Sequence, residues 1–164
     1  MRLSSGEGLN MKLSTKGRYA VMAMADLARS SQDRPVPLGD IASRQEISLS
    51  YLEQLFAKLR RAGLVKSVRG PGGGYRMARP LSETRVADIM LAVEEPVDVT
   101  RCQHQAKGCM EGGRRCITHD LWDELGRHIH LFLNGVTLED VVQRRVLGAS
   151  ARHVGDPEME AAAE

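Results

Sequence analysis

Aromatic residues are scarce in this 164-residue chain, at 4%. A β-sandwich leans on aromatic and β-branched side chains for its pleated core. A chain with one Trp, three Tyr and two Phe must fill its interior with Leu, Ile, Val, Met and Ala, which favours helices. Cysteine is scarce too: there are three, all between Cys102 and Cys116. An odd, clustered set makes a poor disulfide framework and reads instead as metal ligation in a reducing compartment. No apolar run is long enough to span a membrane, and the N-terminus has no apolar signal-peptide core. The sequence therefore predicts a cytoplasmic protein without a membrane partner. Also missing are a nucleotide-binding fingerprint, a carboxylate dyad and any nucleophile–base pair beyond the cysteines, which argues against an enzyme. No internal repeat is visible.

Hydrophobic residues make up 42% and charged residues 27%, as in a soluble globular chain, and the formal net charge is only +2. The charge is unevenly spread. Between Ile41 and Arg79 eight basic residues face only Glu46 and Glu53, whereas the end of the chain carries Asp156, Glu158, Glu160 and Glu164. A basic middle is the footprint of a polyanion partner, or else a solvated helical face.

Periodicity divides the chain as follows. Residues 1–10 show no pattern and read as a disordered leader or extension. From Lys16 to Ser30 the set Val21, Met24, Ala25 and Ala28 follows helical spacing, with Ser14 or Thr15 as its cap. Leu38 to Gln45 is a short helix with Leu38, Ile41 and Ala42 inward. A three-residue turn leads to a stronger helix from Leu49 to Ala62, with Leu52, Leu55, Phe56 and Leu59 as one apolar stripe and Gly63 in the C′ position. Two helices joined this way make a helix-turn-helix. Leu64 to Arg69 alternates with period two, Gly70 to Gly74 cannot continue a strand, and Tyr75 to Ala78 can return as one. A hairpin directly after a recognition-type helix is a winged helix, here spanning residues 11–83.

Residues 84–146 hold a connecting helix (Thr84 to Glu95, stopped by Pro96), a polar loop with every cysteine, and a helix from His119 to Leu133. That helix carries Trp122, Leu125, Ile129, Phe132 and Leu133 at core spacing. Thr137-x-x-Asp140 has the form of a capping box for a last helix to Val146. Residues 147–164 read as a disordered tail. The fold class is mainly α: a winged helix-turn-helix with a small β-hairpin wing and a long C-terminal helix.

The first turn of a recognition helix meets base edges in the major groove. Here it offers Ser48, Ser50, Tyr51, Glu53 and Gln54. Glu53 can accept from cytosine N4 and so penalise sites lacking it, or can serve as a capping-box partner of Ser50. Lys58, Arg60 and Arg61, further along, meet phosphates or form a solvated face, and the site is drawn without them. At the wing tip Arg69 and Gly70 open a glycine run that lets backbone and guanidinium approach a minor groove. The run is no Walker loop, because no Gly-Lys-Ser/Thr follows.

Cys102, Cys109, Cys116 and His119 are spaced Cys-x6-Cys-x6-Cys-x2-His. Zinc sites usually pair ligands two to four residues apart; longer, even gaps let thiolates wrap a larger core. Cys116 and His119 share one face at a helix start, where N–H groups favour anionic thiolates or a negatively charged cluster. Spacing alone leaves zinc, [2Fe–2S] and [4Fe–4S] open. His104, His128 and His130 read as ordinary surface histidines.

Four segments now resemble a known family: Leu13 to Ala20, Ile47 to Leu55, Val68 to Tyr75, and Cys102 to His119. They are similar to the IscR/NsrR-type iron–sulfur cluster-binding winged-helix regulators, over roughly Met11 to Val146. The resemblance implies a homodimer built on the His119–Leu133 helix and a palindromic operator in double-stranded DNA. It implies a [2Fe–2S] cluster on Cys102, Cys109, Cys116 and His119, and repression or dual control of iron–sulfur assembly genes that responds to that cluster. By position, Ser48, Ser50, Tyr51, Glu53 and Gln54 match the groove-reading segment and Arg69 the wing arginine. Both inter-cysteine gaps are one residue longer than the five the pattern leads one to expect. The alternatives are a nitric-oxide or redox sensor of the same fold and a zinc-stabilised DNA-binding module without sensing.

Overall fold

The structure, a computed structural model, describes residues 14–31, 34–94, 99, 108–110 and 112–147. Its elements run α1 (Thr15–Ser30), α2 (Leu38–Gln45), α3 (Leu49–Arg61), β1 (Val65–Val68), β2 (Gly74–Met77), a single 3-10 turn at Leu81–Glu83, α4 (Val86–Ala92), α5 (His119–Gly135) and α6 (Leu138–Val142). The leader 1–10 and the tail beyond Leu147 lie outside the described residues.

One apolar core joins α1, α2, α3, β1 and α4. Ala20, Ala23, Met24 and Leu27 of α1 are fully buried against Ile41, Leu52, Phe56, Leu59 and Ile89. The small alanines of α1 let helix axes approach closely, while Phe56 and Met24 fill the space between them. The expected inner positions of α1 shift slightly: Val21 and Ala25 are only half-buried. Ser14 stands at the N-cap, yet its side chain makes no capping hydrogen bond.

The turn between α2 and α3 works as the sequence predicts. Glu46 takes the left-handed conformation (φ 54°), which reverses the chain, and Ile47 drops into the core at 5% exposure. Ser48 caps α3 by accepting a hydrogen bond from the Tyr51 amide at 3.2 Å. Gly63, with φ 71°, ends α3 as the C′ glycine.

Two tertiary links were invisible in the sequence. Asp26 of α1, only 7% exposed, accepts hydrogen bonds from Arg44 Nη2 at 2.6 Å and from the Gln45 amide. Burial alone would raise the Asp26 carboxyl. The bonds from Arg44, Gln45 and Ser30 more than offset it and hold the group below the ordinary carboxylate range. This network fixes α2 against α1, and through it the setting of α3.

The second link is at Val36, which forms an antiparallel bridge with Tyr75 through bonds of 2.8 and 2.9 Å. The β1–β2 hairpin thus gains a third edge partner. Its register pairs Val65 with Met77 and Val68 with Gly74.

The 3-10 turn occupies the stretch leading from the wing, so α4 starts at Val86, later than the expected Thr84. Thr84, fully buried, spends its hydroxyl on the Pro80 carbonyl and accepts the Leu138 amide instead. The capping box at Thr137 and Asp140 forms as predicted, though α6 ends at Val142.

The apolar stripe of α5 departs from expectation. Phe132 and Leu133 pack against Val86, Met90 and Val136. Trp122, Leu125 and Ile129 remain half-exposed, and Leu121 and Leu131 are 60% and 53% exposed. Among the described residues the stripe is therefore not core, because α5 meets α4 only near its C-terminal end.

Candidate nucleic-acid interface and metal centre

The proposed reading surface lies at the N-terminal end of α3. Ser48, Ser50, Glu53 and Gln54 are exposed there, and Tyr51 is half-buried against Tyr19 with ring centroids 6.1 Å apart in an edge-to-face arrangement. Because Ser48 is the cap, the Ser50–Glu53 capping box does not form. Glu53 therefore stays available on the outer face, with no ion pair or hydrogen bond to another described residue. Gln54 stands one residue beyond it, four after Ser50 and on the stripe that Ser50 begins.

Arg69 and Gly70 lie in the hairpin tip, both exposed. The wing is fixed to α3 by Tyr75, whose ring meets Phe56 edge-to-face at 5.0 Å. Helix α3 and the wing are thus held together by this ring contact and by the Arg60 guanidinium, which donates to Ser67 Oγ at 3.4 Å. Together they present hydrogen-bonding groups at the helix and a guanidinium at the tip, which suits a duplex.

At the other end of the chain, a tight turn closes after Gly108. Its φ of 66° is left-handed, and a Cβ there would come 2.8 Å from the Gly113 backbone. The turn is pinned by bonds from the Met110 amide to the Arg114 carbonyl and from the Gly113 amide to the Met110 carbonyl, both 3.2 Å. It delivers Cys109 to the head of α5. There Cys109 Sγ lies 2.9 Å from His119 Nδ1, and both residues are 8% exposed.

Cys116 is half-buried beside them. The Thr118 hydroxyl, at the N-cap of α5, makes no helix-capping bond and instead lies 3.7 Å from Cys116 Sγ. That hydroxyl lowers the Cys116 thiol below its ordinary value; Cys109 and backbone groups at Thr118 and Cys116 add to it, against an opposing effect of burial. The donors are soft sulfur and imidazole nitrogen, a set that fits iron or zinc in a thiolate-rich site and does not suit the hard cations.

Cys102 and His104 lie outside the described residues. Among the described residues, no group of three His, Cys, Asp or Glu closes on a single ion position. The structure therefore brings Cys109 and His119 together, sets Cys116 alongside, and leaves the fourth expected ligand undescribed. His128 is exposed on α5 and pairs with Glu124 at 3.0 Å, which matches its reading as a surface histidine. Sequence reasoning missed Thr118, whose hydroxyl signals nothing until α5 starts one residue later. Among the described residues, no helix is long and apolar enough to cross a membrane.

Comparison with known proteins supplies an independent line. Residues 13–144 match the Rrf2 family, described as an iron-dependent transcriptional regulator. The chain is 54% identical over 147 residues to the HTH-type transcriptional regulator IscR of Photorhabdus laumondii, covering 89% of this chain and 88% of that relative. Among solved structures it resembles T. potens IscR, with 38% identity and a TM-score of 0.67 over 84% of this chain and 90% of that one. It also resembles CymR, the global cysteine regulator of B. subtilis, with 33% identity and a TM-score of 0.69 over 82% and 98%. These relatives are named as regulators, not enzymes.

Proposed function

The chain belongs to the Rrf2 family of iron-dependent transcriptional regulators, and on that premise we propose that it is a homodimeric repressor, or dual regulator, of iron–sulfur assembly genes whose DNA binding responds to a [2Fe–2S] cluster. The observation that carries this reading is the buried contact between Cys109 Sγ and His119 Nδ1, which joins the turn after Gly108 to the first residue of α5. Cys102, Cys109, Cys116 and His119 would hold the cluster. A bound [2Fe–2S] cluster supplies one-electron redox chemistry and sensitivity to oxidants, and an imidazole in place of a thiolate raises its potential.

The protein's own part is positional. Cys109 and His119 orient each other at the start of α5, and Thr118 favours the thiolate of Cys116. Ligation would thereby tie the cysteine turn to the N-terminal end of α5. In this reading α5 is the dimer helix, and the support is its half-exposed stripe of Trp122, Leu125 and Ile129. A dimer with two-fold symmetry reads a palindromic operator in two half-sites. Ser48, Ser50, Tyr51, Glu53 and Gln54 read each half-site, and Arg69 and Gly70 enter the flanking minor groove. Any cluster effect on DNA affinity equals its differential binding to the two conformations, typically about 1–3 kcal/mol.

The test is an anaerobic visible spectrum with iron and acid-labile sulfide counts, followed by operator selection from a random duplex library with loaded and stripped protein. Coloured protein with about two iron and two acid-labile sulfide per chain, as a [2Fe–2S] cluster requires, and a preference that changes on stripping, is the expected result. A colourless protein with one zinc would turn the cysteine turn into a structural staple. Identical preference with and without the cluster would remove sensing.

A further inference from the structure

The corner where α3 meets the end of α4 carries charge that the reading surface leaves unused. Lys58 stands four residues beyond Gln54 on α3, and Arg61 seven beyond it. Helical spacing therefore puts both on the stripe that continues the reading surface. Lys58 Nζ lies 2.5 Å from a carboxylate oxygen of Glu94. Glu94 follows α4 in a left-handed conformation, φ 59°, which turns its side chain back toward α3. Among the described residues this is the one ion pair between α3 and another element.

More than one cation surrounds the carboxylate. Lys58 hydrogen-bonds it, and Lys16 and Arg61 add favourable fields, so that the Glu94 carboxyl sits below its ordinary value. Beside it lies an open hollow of about 290 Å³ lined by Lys58, Arg61, Ala62, Ala92 and Glu94. A water takes about 30 Å³ of liquid volume, so the hollow has room for a phosphate group. Glu94 itself is 72% exposed and Lys58 24% exposed, and an exposed pair of this kind contributes little to stability. A brace between helices is thus a weak account of it.

We propose that Glu94 is an internal stand-in for a DNA phosphate: in the free protein it occupies the corner formed by Lys58 and Arg61, and a backbone phosphate displaces it in the complex. The inference rests on the placement of the DNA interface on α3. It makes Glu94 an autoinhibitory contact that lowers affinity for all duplexes without altering base preference. Displacement leaves Glu94 in water, where its exposure already allows it to be solvated.

The experiment is a fluorescence-anisotropy titration of the full chain with a labelled duplex of random sequence, across about 50–200 mM salt. Each phosphate neutralised adds about 0.9 to the slope of log K against log salt. Glu94→Gln keeps the shape and removes the charge. It should tighten binding by up to about fivefold, the most that an exposed ion pair is worth, and leave the slope as in wild type, because the same phosphate is neutralised in both complexes. In the double variant Glu94→Gln with Lys58→Gln, that gain should vanish. Wild-type affinity in Glu94→Gln, a loss of affinity there, a slope steeper by about 0.9 (a phosphate contact that wild type never makes), or a gain that survives in the double variant would each overturn the inference. Arg69→Ala is titrated alongside. If it binds like wild type, the interface placement itself fails; if it weakens while Glu94→Gln is silent, this inference alone fails.

Discussion

Replacing Gly74 with alanine attacks the joint between wing and helical body at a point where nothing can yield. A Cβ at Gly74 would lie 2.4 Å from the carbonyl carbon and oxygen of Val36 and 2.7 Å from the Pro37 nitrogen. All three are backbone atoms, so no side-chain rotation relieves the clash. The Val36–Tyr75 bridge must open, losing hydrogen bonds of 2.8 and 2.9 Å. Each is worth about 1 kcal/mol net. The φ of 152° adds strain of about 1 kcal/mol for a non-glycine residue. The expected loss is therefore about 3 kcal/mol. Gly72→Ala is the control: φ is 73°, but no atom lies within 4 Å of the added Cβ, so only the left-handed cost of about 1 kcal/mol applies. Urea denaturation followed by far-ultraviolet circular dichroism should separate the two by about 2 kcal/mol. Duplex affinity should fall in Gly74→Ala, because the β1–β2 hairpin carries Arg69 at its tip. Equal costs for the two variants would refute the claim that the Val36 contact anchors the wing.

Acid should expose the Asp26 network. Its carboxyl is held low in the folded chain, so the network's stability is present above the unfolded value of about 3.9 and is lost as pH falls through the folded value. Asp26→Asn should be less stable at neutral pH, with a melting temperature that changes less between pH 5 and pH 2 in thermal scans; an unchanged acid profile would contradict this account. Leu125→Glu or Ile129→Glu should give a folded monomer by light scattering, since both positions are half-exposed within one chain; an unfolded product would mean that the stripe is core after all. Cys109→Ser should lose visible colour while retaining circular dichroism and some DNA binding. Arg69→Ala should do the reverse, weakening DNA binding with full colour, and a pale Arg69→Ala protein would show that the two sites are not separate.

The order of elements was legible along the chain because each rests on near neighbours. The stripe Leu52, Leu55, Phe56 and Leu59, the glycine at Gly63 and the Thr137–Asp140 capping box act within one or two turns of helix. Residue type and spacing suffice there. The cysteine pattern was equally local, and it named a ligand set without deciding which ligands meet. Only the tertiary structure joined Cys109 to His119 across ten residues of chain, through a turn that left-handed glycines allow. It alone made Ser48 the cap, so that Glu53 faces outward rather than back to Ser50. The pairing of Asp26 with Arg44, of Val36 with Tyr75 and of Lys58 with Glu94 spans 18, 39 and 36 residues. No periodicity links such positions, because their meeting depends on how helices cross and where a hairpin docks. The same reason explains the one misleading pattern. Core spacing on α5 records that the stripe is apolar; whether its cover comes from the same chain is settled by packing, and among the described residues it stays half-exposed.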